Sequence, residues 1–460
     1  MVTRFGEVIY DLGAPPRRHP LWIPVGIVVL LGLGALLAWA PIPVSFVILG
    51  IIFWLLPFFS IELGFYTMII LLPIPEARLM IGESYNISFS SLVMISILLC
   101  LLSKRVIHRE SVLGFEPRKL WPLWCFVVVH FASIAVSVDL PRSVNIFLHI
   151  LIWVLLLLVT QQVIVNRHIL RNALLLMIIE GVIITLIGYY DNFVHKVEIS
   201  ALYHYTGGVS SIYTNRNQYG NYLVAIIPLA VAFVLYGQRW ETRITNLGAV
   251  FTLALSLITT LSRGAWVGCL FGLAVFMRNW RAWILALVAI MSIYYWAPEN
   301  IKTRFRSIWD PRVKSANQSR MLIQASGLAL FGRHPVLGVG TGCFEVAVGG
   351  ARTSTRLPTN LSAHNTYLEM AAETGIIGFI AFVIFIGFVT NKIYKINIPQ
   401  ARAPDRLYRL ALLSAWLSLL VHFLFITAFF NSMPWFLIGA ILAANRILSS
   451  DEADLPTKIS

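Results

Sequence analysis

Apolar runs long enough to cross a bilayer recur from Leu21 to Ile447 with no domain-sized polar block between them, and this constrains the chain more than any other feature. A hydrocarbon core takes about 20 apolar residues of helix, and within lipid the backbone must satisfy its own hydrogen bonds. The runs fall near 21–39, 43–58, 60–74, 89–103, 120–136, 144–164, 169–189, 219–236, 244–261, 264–278, 282–297, 376–394, 408–430 and 433–447. The expected fold is all-α, a single polytopic membrane domain over 1–460 with about 12–14 transmembrane helices. The pairs 43–58 with 60–74 and 264–278 with 282–297 are short enough to be re-entrant or tilted. A chain that is 58% hydrophobic and 12% charged, with mean hydropathy +0.78, exceeds what a soluble core requires.

The formal net charge of +14 does not point to nucleic acid, because Lys and Arg sit in short clusters between apolar runs rather than along one face. Membrane topology and anionic headgroups account for them. With the N-terminus inside, one side receives Lys104, Arg105, Arg109, Arg118 and Lys119, then Arg167 and Arg171, Arg239 and Arg243, Arg278 and Arg281, and Lys392 to Arg409. The other side receives 137–143, 191–218, 262–263, 298–375 and 431–432. Both termini are therefore expected to be cytoplasmic. Arg17, Arg18 and His19 resemble a signal n-region, but no small-residue cleavage site follows, so the first helix is expected to be retained. Cys100, Cys125, Cys269 and Cys343 show no metal-binding or redox spacing.

Segment 298–375 is too long to be a passive connector. It carries nine Lys or Arg against five acids, which suits an extramembrane surface that meets an anion. Within it Arg320 to Leu330 has helical periodicity, with Met321, Leu322, Ala325 and Leu328 on one side, as for a helix lying on the membrane or capping a cavity.

Three short pieces could carry chemistry. In Ser362-Ala-His-Asn-Thr-Tyr-Leu-Glu369, the Thr366/Glu369 spacing predicts a capping box and leaves His364 just before a positive helix N-terminus. A histidine there is a solvated or capping residue, or a base suited to taking a hydroxyl proton near neutral pH. Thr214-Asn-Arg-Asn-Gln-Tyr-Gly220 precedes a span, and Leu261-Ser-Arg-Gly-Ala-Trp266 puts Arg263 in a very short turn. An arginine at the hydrocarbon boundary either snorkels to headgroups or meets an anion. Two guanidiniums on the same side as His364 could hold a diphosphate through paired charge-assisted hydrogen bonds. Glu180 is an intramembrane acid, bonded to a neighbouring helix or functional. His130, His149 and His422 read as satisfied histidines within helices. Gly338-Val-Gly-Thr-Gly342 reads as a tight turn rather than a phosphate loop, and no metal-ligand cluster is visible.

These pieces resemble the O-antigen ligase and polymerase family. The resemblance rests on Pro335-Val-Leu-Gly-Val-Gly340, on His364-Asn-Thr-Tyr-Leu-Glu-Met-Ala-Ala-Glu-Thr-Gly375, on Asn215 to Asn217 and on Ser262 to Trp266. It implies a GT-C-like helical protein of the bacterial inner membrane with its active site facing the periplasm. The implied chemistry is inverting and metal-independent and uses no cofactor. It moves a glycan from undecaprenyl diphosphate to a hydroxyl of lipid A-core, in a ligase, or of a second lipid-linked glycan, in a polymerase. His364 corresponds to the general base and Arg216 and Arg263 to the diphosphate ligands, with Arg320 added to them; Asn215, Asn365, Glu369 and Glu373 are supporting candidates, the two glutamates orienting His364, binding a sugar or capping the helix. A lipid-linked glycan flippase is the non-enzyme alternative, but transporters place charges near the bilayer midplane, whereas these arginines cluster at one face.

Overall fold

The computed structural model describes residues 42–74, 78–81, 85–108, 117–191, 209–213, 215–277, 284, 288, 291, 294–297, 299–306, 316–350, 362–396 and 405–449. The expected span at 21–39, most of that at 282–297, and both chain termini lie outside these residues.

The chain runs through α1 (Ile42–Phe59) and α2 (Ile61–Leu71), a hairpin of β1 (Arg78–Ile81) and β2 (Tyr85–Ser88), and α3 (Phe89–His108). There follow α4 (Trp121–Ser133), α5 (Leu140–Val163), α6 (Arg167–Asp191), α7 (Arg216–Tyr236), α8 (Trp240–Thr259) and α9 (Arg263–Leu273). The long segment supplies α10 (Glu299–Arg306), α11 (Ala316–Arg333) and α12 (Phe344–Gly350). Then come α13 (Thr366–Tyr394), α14 (Arg406–His422) and α15 (Ser432–Ser449). Among the described residues, seven helices are long and apolar enough to cross a membrane: 117–136, 140–163, 167–191, 216–236, 240–259, 366–394 and 432–449. Four shorter apolar helices join them, at 48–59, 61–71, 89–104 and 263–276. The chain is thus an all-α polytopic membrane protein apart from the hairpin. Apart from 408–430, every apolar run expected outside 21–39 and 282–297 overlaps a helix among the described residues.

Large apolar side chains cover the outside of the bundle, with Phe251 71% and Phe131 63% exposed, the arrangement a lipid-facing surface requires. Lipid tails are as apolar as these side chains, so close packing rather than water exclusion holds such helices together. Helix α14 lies against α7 and α9, and α15 against α5. Gly264, Gly268 and Gly272 form the stripe of α9 that meets α14, where a β-carbon on Gly268 would sit 2.8 Å from the Ser418 carbonyl oxygen. One added at Gly272 would collide with Ser414 and Ser418. A Gly272→Leu protein is therefore expected to lose about 1–3 kcal/mol of stability. Thermal unfolding in detergent checks this, and an unchanged midpoint would contradict the packing.

The segments that the charge pattern puts on one side meet at one end of the bundle. Val138 donates to the Val339 carbonyl at 3.1 Å, Val209 to Thr259 at 3.0 Å, and Thr366 to Phe423 at 2.9 Å. Parts of the basic segments meet around residues 161–167, 405 and 446. There Arg446 donates to the carbonyls of Gln161 and Ile164 at 2.9 and 2.8 Å, and Arg167 pairs with Asp405 at 3.0 Å.

Two features depart from the expected fold. The β1–β2 hairpin, with Arg78 opposite Ser88, interrupts the helical order. The run at 408–430 is also not one helix: α14 stops at His422, and 423–431 continues without helical structure before α15. This stretch is rigidly seated, because Phe429 enters an aromatic cluster with Phe382, Trp435 and Phe423 at centroid distances of 4.9, 5.2 and 5.9 Å. Helix α13 is broken as well. Gly375, at φ 65° and ψ −165°, separates a short first piece from the long span. A side chain there would be strained by the positive φ and would strike the Val336 carbonyl.

Candidate functional site

Three helices begin beside one another at the loop-bearing end. Asn215 is the N-cap of α7, its side chain accepting from Asn217 N at 2.7 Å and Gln218 N at 3.2 Å, which makes Arg216 the first helical residue. Ser262 precedes α9, so Arg263 holds the same position there. The Ser262 hydroxyl donates to Asn217 Oδ1 at 2.9 Å and ties the two starts together. Asn365 caps α13 by accepting from Leu368 N at 3.1 Å, and His364 stands immediately before it. Each start carries the positive end of a helix dipole. Their convergence suits an anion before any side-chain charge is counted.

The expected capping box is corrected by this geometry. The cap is Asn365, and Thr366 turns away: its hydroxyl donates to the Ile426 carbonyl at 2.7 Å, while its N–H donates to Phe423 and Ile426 at 2.9 and 3.1 Å. Glu369 accepts from the Thr427 hydroxyl instead of reaching back to a cap. The non-helical stretch after α14 therefore holds the turn that presents His364. His364 itself has φ 49°, and Leu261, two residues before Arg263, has φ 54°. Left-handed backbone at residues that carry a β-carbon persists only where surrounding contacts enforce it, and it collects at functional sites.

Arg320, on α11, completes the group. Its guanidinium is held below the ordinary arginine range by burial and by the charges of Arg263 and Arg216. The His364 imidazole is pushed down to about 4, first by burial and then by the Arg320 charge. Arg320 thus lies in the field of Arg263 and Arg216, and His364 in that of Arg320; at neutral pH the imidazole is uncharged. Two acids of the same segment are committed elsewhere. Glu373, 2% exposed, accepts from Gly342 N at 2.8 Å and Phe344 N at 3.1 Å, and Glu345 pairs with Arg142 at 2.9 Å.

Glu373 is thereby an architectural residue. Its carboxylate fills the turn formed by Gly338, Gly340 and Gly342 at φ 70°, 104° and 74°, and it anchors the start of α12. The Gly-rich stretch is the tight turn its sequence implies. It docks on α4 and α5: Ser133 donates to the Leu337 and Glu373 carbonyls, and Arg142 Nε donates to the Gly342 carbonyl at 2.7 Å. Ile323 and Leu330 of α11 sit in a small core with Phe344, Val348 and Ala372, and this fixes Arg320 over the site. Met321, Leu322 and Leu328 stay outward and exposed, as the apolar face read from the periodicity requires.

The weaker candidates lie away from this cluster or within helices. His130 bonds Thr341 at 3.0 Å, His149 bonds the Asn145 carbonyl at 2.9 Å, and Glu180 accepts from the Tyr222 hydroxyl at 3.4 Å. Sequence reasoning missed the Gly264/Gly268/Gly272 stripe that seats Arg263. Its four-residue repeat was a legible signal of close helix contact.

Fold and site together define a polytopic membrane protein with a group of arginines and a neutral imidazole near the start of one of its helices. Residues 248–383 match the family model described as O-Antigen ligase, a stretch that includes Arg263, Arg320 and His364 and leaves Arg216 outside. The match supports placing this stretch in the O-antigen ligase-like superfamily of ligase- and polymerase-type glycosyltransferases. Comparison with curated proteins finds no match.

Proposed function

We propose that the protein transfers a glycan from a polyprenyl diphosphate, undecaprenyl diphosphate in a bacterial inner membrane, to the hydroxyl of a lipid A-core acceptor. The observation that carries this reading is the linked group in which Arg216 and Arg263 act on Arg320 and Arg320 acts on His364, with Ser262 tying the starts of α7 and α9 together. Guanidiniums in fork geometry match the oxygens of a diphosphate, and the helix N-termini add to the same field.

In the proposed reaction the neutral His364 ring takes the proton of the acceptor hydroxyl as that oxygen attacks the anomeric carbon. The new carbon–oxygen bond forms as the bond from the anomeric carbon to the phosphate oxygen breaks, with inversion. The electron pair leaves on the lipid diphosphate, where the arginines stabilise the developing charge. The proton stays on His364 until solvent removes it. The donor's own leaving group drives the step, and apolar grooves between helices suit the polyprenyl tail.

The deciding experiment reconstitutes the full chain in vesicles with a defined undecaprenyl-diphosphate-linked glycan and offers two acceptors together, lipid A-core and a second lipid-linked glycan. Glycan on lipid A-core is the expected product. Elongated lipid-linked glycan alone would make the protein a polymerase, and no transfer to either acceptor would defeat the reading.

A further inference from the structure

His422 lies at the last turn of α14, 1% exposed, where three parts of the site meet. Its Nδ1 stands 3.2 Å from Asn221 Oδ1 on α7, the helix that begins with Arg216. A carbonyl oxygen only accepts, so Nδ1 carries the hydrogen. Asn221 is itself buried, at 2% exposure. On the other side His422 abuts α9, since a β-carbon on Gly268 would sit 3.0 Å from the His422 Cβ. The next residue, Phe423, gives its carbonyl to Thr366 of the His364 turn at 2.9 Å, and Phe425 covers Gly264 beside Arg263. The Arg320 charge also reaches the His422 ring.

We propose that His422 is a positioning residue of the transfer site, its bond to Asn221 locking the end of α14 so that the His364 turn stays in register with the helices bearing Arg216 and Arg263. The ring touches no reacting atom in this scheme. Its hydrogen bond is worth having because an amide and an imidazole are both buried, and either left alone costs more than the pair gains. The inference rests on the proposed glycan transfer only for its kinetic readout.

The test uses the full chain in vesicles with undecaprenyl-diphosphate-linked glycan and lipid A-core, comparing wild type with His422→Leu, His422→Asn, Asn221→Leu and the His422→Leu/Asn221→Leu double variant. Both single leucine variants are expected to lower kcat about tenfold to a hundredfold with donor KM changed less than about threefold. His422→Asn keeps a donor where Nδ1 stood and is expected to recover most of the loss. The double variant should be no slower than the worse single, because both break one bond. Wild-type turnover in His422→Leu, or strictly additive losses in the double variant, would overturn the proposal. If His422→Leu does not fold, Asn221→Leu decides in its place, and a wild-type kcat there would overturn it equally. A wild type that transfers nothing counts against the proposed function and not against His422. In that case amide exchange over 364–368 decides: about tenfold faster exchange in Asn221→Leu supports the lock, and unchanged exchange refutes it.

Discussion

An alanine at position 364 is expected to cut glycan transfer by about 10²–10⁴-fold while leaving donor affinity within a few-fold of wild type. The split follows from where His364 stands. The guanidiniums and helix starts that suit the diphosphate remain in place without the imidazole, so binding survives and only proton removal is lost. Initial rates and a donor-binding measurement on the same preparation give both numbers, and full turnover in His364→Ala would end the base assignment. The imidazole also sets the sign of the pH profile. Burial and the Arg320 charge hold it down to about 4, so the base is in its active form through neutral pH and is lost only as pH falls through that value. The acid limb of kcat/KM is expected near pH 4, and Arg320→Gln should move it upward because one of the two depressing causes is gone. A limb at the unperturbed histidine value in the wild type would contradict the arrangement.

Arg263→Ala is expected to weaken donor binding and turnover together. A hydrogen bond to a charged group contributes about 1.5–3 kcal/mol, which corresponds to roughly a tenfold to hundredfold loss of affinity. A guanidinium that also stabilises the departing diphosphate adds a loss in kcat of about the size seen when one oxyanion donor is removed, 10²–10³-fold. Arg263 is the sharper test because its position is the most constrained of the three: first residue of α9, two after a left-handed Leu261, on a helix seated by three glycines. Unchanged donor affinity in a folded Arg263→Ala protein would exclude a diphosphate clamp.

Hydropathy made the membrane domain legible because lipid leaves so few ways to satisfy a backbone. That Arg216 and Arg263 act on Arg320, and Arg320 on His364, follows from nothing in their spacing along the chain; the charge pattern had only placed Arg216, Arg263 and His364 on one side. What escaped is equally physical. Hydropathy does not register a break when the unwound residues are themselves apolar, so Phe423 to Phe430 read as the continuation of a helix that ends at His422. Asn365 and Thr366 are both good capping residues, and spacing to Glu369 favoured the wrong one because the partner of Thr366, the Ile426 carbonyl, lies sixty residues away. Glu373 offered a carboxylate that suited a site, yet its partners are backbone N–H groups of a glycine turn that only folding brings to it.

The discontinuity at Gly375 has a mechanical result. Ile376 N, which a straight helix would satisfy from within, donates to the Pro335 carbonyl at 2.8 Å, so the joint is clamped from outside the helix. The nine residues ahead of the joint therefore take their direction from the glycine turn rather than from the axis of the long span, and the histidine before them is placed by that turn although it sits on the same continuous stretch of chain.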